Sequence, residues 1–295
     1  MFDAKFPSMD RADLLAIRKG LDSGYREFSR AYGDMIETFF DPLLSFLIWF
    51  EQLLLDAPWW LVLTILVGIV YGATRSWKLS VGVFLSFLWV GYFGMWENTM
   101  RTMSIITVCT VISIALGIPI GILMARSDRV QMVVTPLLDV MQTMPAFVYL
   151  IPVVMLLGIG KIPGVIAVVI YAIPPVIRLT NLGIRLVDKE VLEAGDAYGA
   201  SSVQRLVGIQ LPLSMPTIMA GINQTIMMAL SMVVIASMIG VKGLGQPVLK
   251  SITNQYFTMG LLNGLAIVAL AIVFDRASQA YAKRAQRHMG GLENA

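Results

Sequence analysis

Residues 193–212 read EAGDAYGASSVQRLVGIQLP, a charged island in a chain that is otherwise mostly apolar. The island holds Glu193, Asp196 and Arg205, and Arg185, Asp188, Lys189 and Glu190 lie just upstream. At the centre of a spanning helix each such charge costs ~2.5–3.5 kcal/mol, so this segment does not cross a bilayer. It nevertheless ends in Leu211-Pro212 and runs directly into residues 206–241, which carry no Asp, Glu, Lys or Arg. A polar element with glycines at fixed places, set between apolar spans, predicts a docking surface for a soluble partner. Glu193 and Ala194 are expected to open a short helix, where a carboxylate suits the macrodipole. Gly199 is expected to permit a turn or a close backbone approach. Pro212 is expected to restart a helix, since its missing N–H costs little there.

Composition points to the membrane independently. Apolar residues make up 57% of the 295, charged residues 14%, and mean hydropathy is +0.75; a soluble domain is nearer a quarter charged. The net charge of +3 is explained by basic cytoplasmic loops and needs no nucleic acid. The lone Cys109 reads as a packing residue, and the lone His288 rules out a multi-histidine metal site.

Charge-free windows at 57–74, 79–96, 102–125, 140–160, 162–177, 206–241 and 251–274 locate the spans, since a bilayer core of ~30 Å takes about 20 helical residues. They predict an all-α, polytopic membrane protein with about seven transmembrane helices, near 59–75, 78–95, 100–125, 132–157, 163–181, 214–239 and 259–280. With the 193–212 loop on one side, that side holds twelve basic residues: Arg75, Lys78, Arg126, Arg129, Arg178, Arg185, Lys189, Arg205, Arg276, Lys283, Arg284 and Arg287. The other holds four: Arg101, Lys161, Lys242 and Lys250. The positive-inside rule therefore puts the loop and the C-terminus in the cytoplasm. Residues 1–34 mix both signs and read as a solvated, partly helical tail without a signal-peptide core. Ile36, Phe40, Leu43, Leu47, Phe50 and Leu54 then form an amphipathic stripe, expected to lie on the membrane rather than span it. The N-terminus is then periplasmic.

The island's pattern is Glu193-Ala194-Gly195, three residues, Gly199, nine residues, Ile209, one residue, Leu211-Pro212. It resembles the cytoplasmic signature loop of ABC-importer permeases, whose coupling helix seats on an ATPase subunit. The family pattern usually has a second alanine where this chain has Gly195, a change that leaves room for partner packing. The segments MQTMPAFVYLIPVVMLLGIG (141–160), AIPPVIRLT (172–180), LPLSMPTIMAGINQT (211–225) and ALSMVVIASMIG (229–240) resemble the permease subunits of glycine betaine/proline betaine importers and related choline and osmolyte systems. That resemblance implies a permease core of five helices over 99–282, containing the coupling loop 183–212. It leaves 1–56 as tail and interfacial helix, 57–98 as two accessory spans and 283–295 as a cytoplasmic tail. The partners it implies are a second copy of the chain, cytoplasmic ABC ATPases carrying ATP and magnesium, and a periplasmic or lipid-tethered binding protein, all at the bacterial inner membrane. Tyr198 joins the coupling-loop candidates by position.

Candidate pathway residues are the sparse polar and helix-breaking positions of the middle spans: Gln142, Thr143, Pro145, Asn223, Gln224 and Ser231, with Phe147 and Tyr149 as π faces for a quaternary ammonium. Proline breaks a backbone hydrogen bond, and in a membrane the freed groups must be satisfied by protein or water. Gly243, Gly245 and Gln246 form a glycine-dense loop that is a candidate contact for the binding protein. Asp139 and Arg178 are expected to snorkel or to pair with each other. No phosphate-binding GxxxxGK[ST] motif, HExxH or GxSxG occurs, so the chain is expected to bind no cofactor and not to be an enzyme. The alternatives are an importer of the same architecture for another solute, such as an amino acid, or an ion-coupled secondary transporter.

Overall fold

The computed structural model describes residues 9–290, apart from the side chains of Asp34, Glu37 and residues 281–290. His288 and the basic side chains of the C-terminal tail lie outside the described residues. Every regular element among those described is helical. Helix α1 (Arg11–Asp56) is followed by a hairpin of α2 (Trp59–Thr74) and α3 (Trp77–Tyr92), then by the long α4 (Trp96–Arg126). Next come α5 (Asp128–Thr143), a short 3-10 turn over Ala146–Tyr149, and α6 (Leu150–Leu157). Helices α7 (Lys161–Ala172) and α8 (Pro174–Arg185) lead to α9 (Lys189–Ala197) and α10 (Ser202–Arg205). A π turn over Leu206–Gln210 passes into α11 (Leu211–Ala236), and α12 (Gly245–Asn254) and α13 (Phe257–Gly290) close the chain.

Five segments among the described residues are long and apolar enough to cross a membrane: Thr38–Asp56, Trp96–Arg126, Lys161–Arg185, Ser202–Ile239 and Phe257–Ala280. A sixth arises if α5 and α6, bent by 112°, count as one broken span. Four of the expected spans are thus found as long helices, and 132–157 as the bent pair. Helices α2 and α3 match the first two expected spans in place but not in length. Each has 16 residues, about 24 Å at 1.5 Å per residue, short of a ~30 Å bilayer core.

The N-terminal region differs from the sequence expectation. Residues 11–56 form one helix, not a tail joined to a separate amphipathic segment. Asp10 caps it, its carboxylate accepting from the Arg11 N–H at 2.6 Å. The cause of continuity is a stripe at helical spacing, half-buried at Tyr25, Ser29, Gly33, Ile36, Phe40 and Leu43 and buried at Leu47 and Glu51. That stripe gives the helix packing partners well beyond the residues that periodicity selects.

The centre of the bundle is α4, α8 and α11, brought together by small residues, as membrane helices require when lipid gives them no hydrophobic drive to associate. A Cβ on Gly121 of α4 would stand 2.6 Å from Thr180 Cβ and 2.8 Å from the Ile177 carbonyl of α8. One on Gly221 of α11 would stand 3.1 Å from Val176 Cα. Met100, Ile105, Cys109, Val168, Val176, Met232 and Leu270 are fully enclosed around this seam.

Candidate functional site

The polar island folds into an elbow at one end of the bundle. Arg185, the last residue of α8, ties that end together: it donates to Asp128 Oδ1 at 2.7 Å, to the Met124 carbonyl at 2.8 Å and to Asn181 Oδ1 at 3.1 Å. Helix α9 starts after Asp188, whose carboxylate accepts from the Glu190 N–H at 2.9 Å. Glu193 therefore sits in the middle of α9 and does not open it, because the Asp188 cap, five residues earlier, supplies the start. Gly199 turns the chain with φ +76°, a left-handed conformation that costs a side-chain-bearing residue ~1–2 kcal/mol. Ser201 and Gln204 then form a reciprocal capping box that starts α10.

The elbow is locked from within. Arg205 Nη1 donates to both Asp196 oxygens, at 2.6 and 2.9 Å. Gly195 has its place because a Cβ there would lie 2.6 Å from Ile209 Cδ1; the space expected for a partner is filled by the chain's own isoleucine. Arg126 Nη2 reaches the Ser202 carbonyl at 3.4 Å. Outward, Glu193, Ala194 and Gly199 are exposed, and so are Val203 and Val207, while Tyr198 is 94% exposed. Leu211 and Pro212 are half-buried. Pro212 stands in the first turn of α11, but with no gap before it, since Ser202–Ile239 is one continuous helical run. The π turn before Pro212, in which the Leu211 N–H reaches back to the Leu206 carbonyl, gives the proline ring the room that an α turn denies it.

The candidate pathway residues fall into two groups. At the 112° bend, Gln142, Thr143, Pro145 and Phe147 are exposed. Tyr149 is buried, its hydroxyl donating to the Met141 carbonyl, with its ring edge-on to Tyr171 at 5.8 Å. On α11, Gln224 and Ser231 are exposed, and Ser231 donates to the Met227 carbonyl at 3.0 Å. Asn223 instead joins a polar cluster that the sequence reading missed. Its Nδ2 donates to Asp275 Oδ1 at 3.0 Å, its Oδ1 accepts from Ser278 at 2.6 Å, and Gln279 donates to the same Asp275 oxygen at 2.7 Å. The available signal was a carboxylate directly after an apolar run, with Ser and Gln three and four residues on.

Gly243 and Gly245 are buried and only Gln246 of that trio is exposed. A Cβ on Gly245 would stand 2.9 Å from Val234 Cα, and the Leu244 N–H donates to Thr102 at 2.9 Å. Asp139 and Arg178 pair with each other. At the opposite end from the elbow, Glu51 is 4% exposed; Lys161 Nζ lies 2.6 Å and Arg101 Nη1 3.5 Å from its carboxylate. A cavity of about 840 Å³ among Trp59, Leu63, Phe87, Trp89, Tyr92 and Trp96 involves none of the candidate pathway residues.

Residues 117–287, more than half the chain, match the family described as binding-protein-dependent transport system inner membrane component. The chain belongs to this family. It is therefore a multi-pass inner-membrane component of a transport system. It is 48% identical over 236 residues to the glycine betaine/proline betaine transport system permease protein ProW of Escherichia coli (strain K12), covering 78% of this chain and 65% of that protein. The chain thus spans somewhat under two thirds of that relative's length. It is 46% identical to the glycine betaine transport system permease protein OpuAB of Bacillus subtilis (strain 168), over 73% of this chain and 78% of that one. It is 36% identical to the trimethylamine N-oxide transport system permease protein TmoV of Ruegeria pomeroyi, over 78% of this chain and 35% of that one. In fold it is similar to a chain of the MetNI methionine ABC transporter, solved in inward-facing conformations, with TM-score 0.57, 18% identity, and coverage of 63% of this chain and 93% of that one.

Proposed function

We propose that this chain is the permease subunit of an ATP-driven importer for small methylated amines of the glycine betaine, proline betaine, choline or trimethylamine N-oxide type. The observation that carries the mechanism is the elbow. A helical hairpin too charged to enter lipid stands at the basic-rich end of the bundle and presents Tyr198, Val203 and Val207 to solvent. Behind that surface it is braced by Arg205–Asp196 and by Ile209 against Gly195. A braced surface transmits force; a loose loop absorbs it. We take residues 183–212 as the seat of a cytoplasmic ATPase, with Glu193, Ala194, Tyr198 and Gly199 at the contact, and with Gly195, Ile209, Leu211 and Pro212 shaping it from behind. ATP and magnesium belong to that ATPase; this chain holds no cofactor in this reading.

The names of the relatives support the cargo class, and the family description supports a binding protein that delivers it. Residues 99–282 form the permease core, 57–98 the accessory hairpin and 283–295 a cytoplasmic tail. Two copies of the chain enclose one pathway. The basic residues, twelve against four, support a cytoplasmic elbow and C-terminus and a periplasmic N-terminus, with α1 at the outer surface. Gln142, Thr143, Pro145 and Phe147 at the bend and Asn223, Gln224 and Ser231 on α11 face or flank the pathway; buried Tyr149 fixes the shape of the bend. Gln246 is the exposed contact for the binding protein, held by buried Gly243 and Gly245.

The test is a cysteine at Tyr198 in the assembled complex. Cross-linking to the ATPase subunit, together with ATP-dependent glycine betaine uptake into vesicles, is the expected result. An active complex in which that cysteine captures no ATPase would rule out the placement.

A further inference from the structure

Helix α1 lies outside the segment 117–287 that carries the family match, yet it is bonded to both sides of the junction between α6 and α7. Toward its C-terminus, buried Glu51 holds Lys161 Nζ at 2.6 Å and Arg101 Nη1 at 3.5 Å, and so joins the starts of α7 and α4. Toward its N-terminus, the Tyr25 hydroxyl donates to the Pro152 carbonyl at 2.5 Å. The Ser29 hydroxyl donates to the Leu156 carbonyl at 3.4 Å. Leu156 lies in the last turn of α6, where carbonyls have no partner within their own helix. The backbones pass within ordinary contact at the same point: a Cβ on Gly33 would stand 3.5 Å from the Leu156 oxygen.

Between these two sets of anchors, each side has one yielding point. In α1 it is Pro42, inside the helix, which cannot donate a backbone hydrogen bond. Opposite, the connection between α6 and α7 passes through Gly158, with φ +75°, and Gly160, and both have open space where a Cβ would be. Lys161 follows at once, so its ion pair fixes the residue on which this hinge turns.

We propose that Glu51 is a positioning residue of the transport cycle: it fixes α7 and α4 to the C-terminal half of α1, while Tyr25 and Ser29 fix α6 to the N-terminal half. The broken span then swings about Gly158–Gly160 and Pro42 as paired hinges. A buried carboxylate with two cations is not easily released, because loss of one partner strands an uncompensated charge. That end therefore stays closed through the cycle, and the movement is taken up at the hinges. The two hydroxyl–carbonyl bonds make the first half of α1 travel with α6. Sequence from residue 11 to residue 56 thereby becomes a working part of the pathway helix.

This inference rests on the importer reading above, and absence of ATP-driven uptake by the unaltered complex would reject that reading and not this one. In the full complex in vesicles, Glu51→Gln should lower the maximal uptake rate at least about tenfold while ATP hydrolysis continues, and Glu51→Asp should recover part of it. A disulfide between cysteines at Ser29 and Leu156 should leave uptake near the unaltered rate, since it joins parts that move together. Should Glu51→Gln fail to insert, Glu51→Gln with Lys161→Gln removes charge from both sides and should insert with the same loss of uptake. Uptake at the unaltered rate in either Glu51 variant, or uptake stopped by the Ser29–Leu156 disulfide, would overturn the proposal.

Discussion

The contact between α4 and α8 at Gly121 gives a stability prediction whose sign follows from distances. An alanine there would place its Cβ 2.6 Å from Thr180 Cβ and 2.8 Å from the Ile177 carbonyl. Ordinary carbon contacts are ~3.5–4.0 Å, so the two helices must separate by close to 1 Å, and one of the obstructing atoms is backbone. Overpacking of this kind costs ~1–3 kcal/mol, against a gain of about 0.8–1.0 kcal/mol in helix propensity for Gly→Ala. The net expectation for Gly121→Ala is destabilisation of roughly 0–2 kcal/mol. Gly68 in α2 is the control: nothing lies within 4 Å of its would-be Cβ, so Gly68→Ala keeps only the propensity gain. The protein contains its own reporter, since Cys109 is the single cysteine and is fully buried. A thiol-reactive fluorophore added to detergent-solubilised protein during a thermal ramp reads its release. Gly121→Ala should expose Cys109 at a lower temperature than the unaltered protein, and Gly68→Ala at the same or a higher one. Equal or reversed order would refute the close-approach argument.

Reporter fusions at residues 30 and 290 should register opposite sides of the membrane; the same side for both would make Thr38–Asp56 a true crossing. Phe147→Leu should change uptake rate without reordering the preference among competing betaines, because an exposed ring at the bend offers at most a cation–π contribution of about 0.5–2 kcal/mol. Tyr149→Phe should lower thermal stability by ~0.5–1.5 kcal/mol through loss of its hydrogen bond to the Met141 carbonyl. A changed order of preference at Phe147, or unaltered stability at Tyr149, would count against these roles.

What the sequence made legible was governed by local rules. Charge density marks 193–212 as costly to bury in a bilayer, and charge-free runs located the long helices, because insertion cost is a property of a contiguous segment. The unread features depend on partners distant in sequence. Glu51 stands one residue past Phe50 of the amphipathic stripe with no local cation to announce its role; its cation Lys161 is 110 residues away. Gly195 looked like a vacancy for another protein, since nothing local shows that Ile209 fills it. Asp275 lies one residue past the charge-free window 251–274, and nothing local shows that Asn223, 52 residues earlier in the chain, accommodates it. Pro145 announces a break, but the 112° angle of that break cannot be read from the proline alone.

The unbroken helical run from Ser202 to Ile239 carries one more implication. Its 38 residues make a rod of about 57 Å, with the elbow as its foot and the tightly packed Gly245 region beside its head. On a rod of that length, a tilt of about 5° at the foot displaces the head by about 5 Å. The π turn, five residues at the foot, is where the shaft departs from regular α geometry nearest the elbow. In the proposed importer, the length of the Leu206–Gln210 turn would then set how far a tilt at the elbow moves the head of the rod.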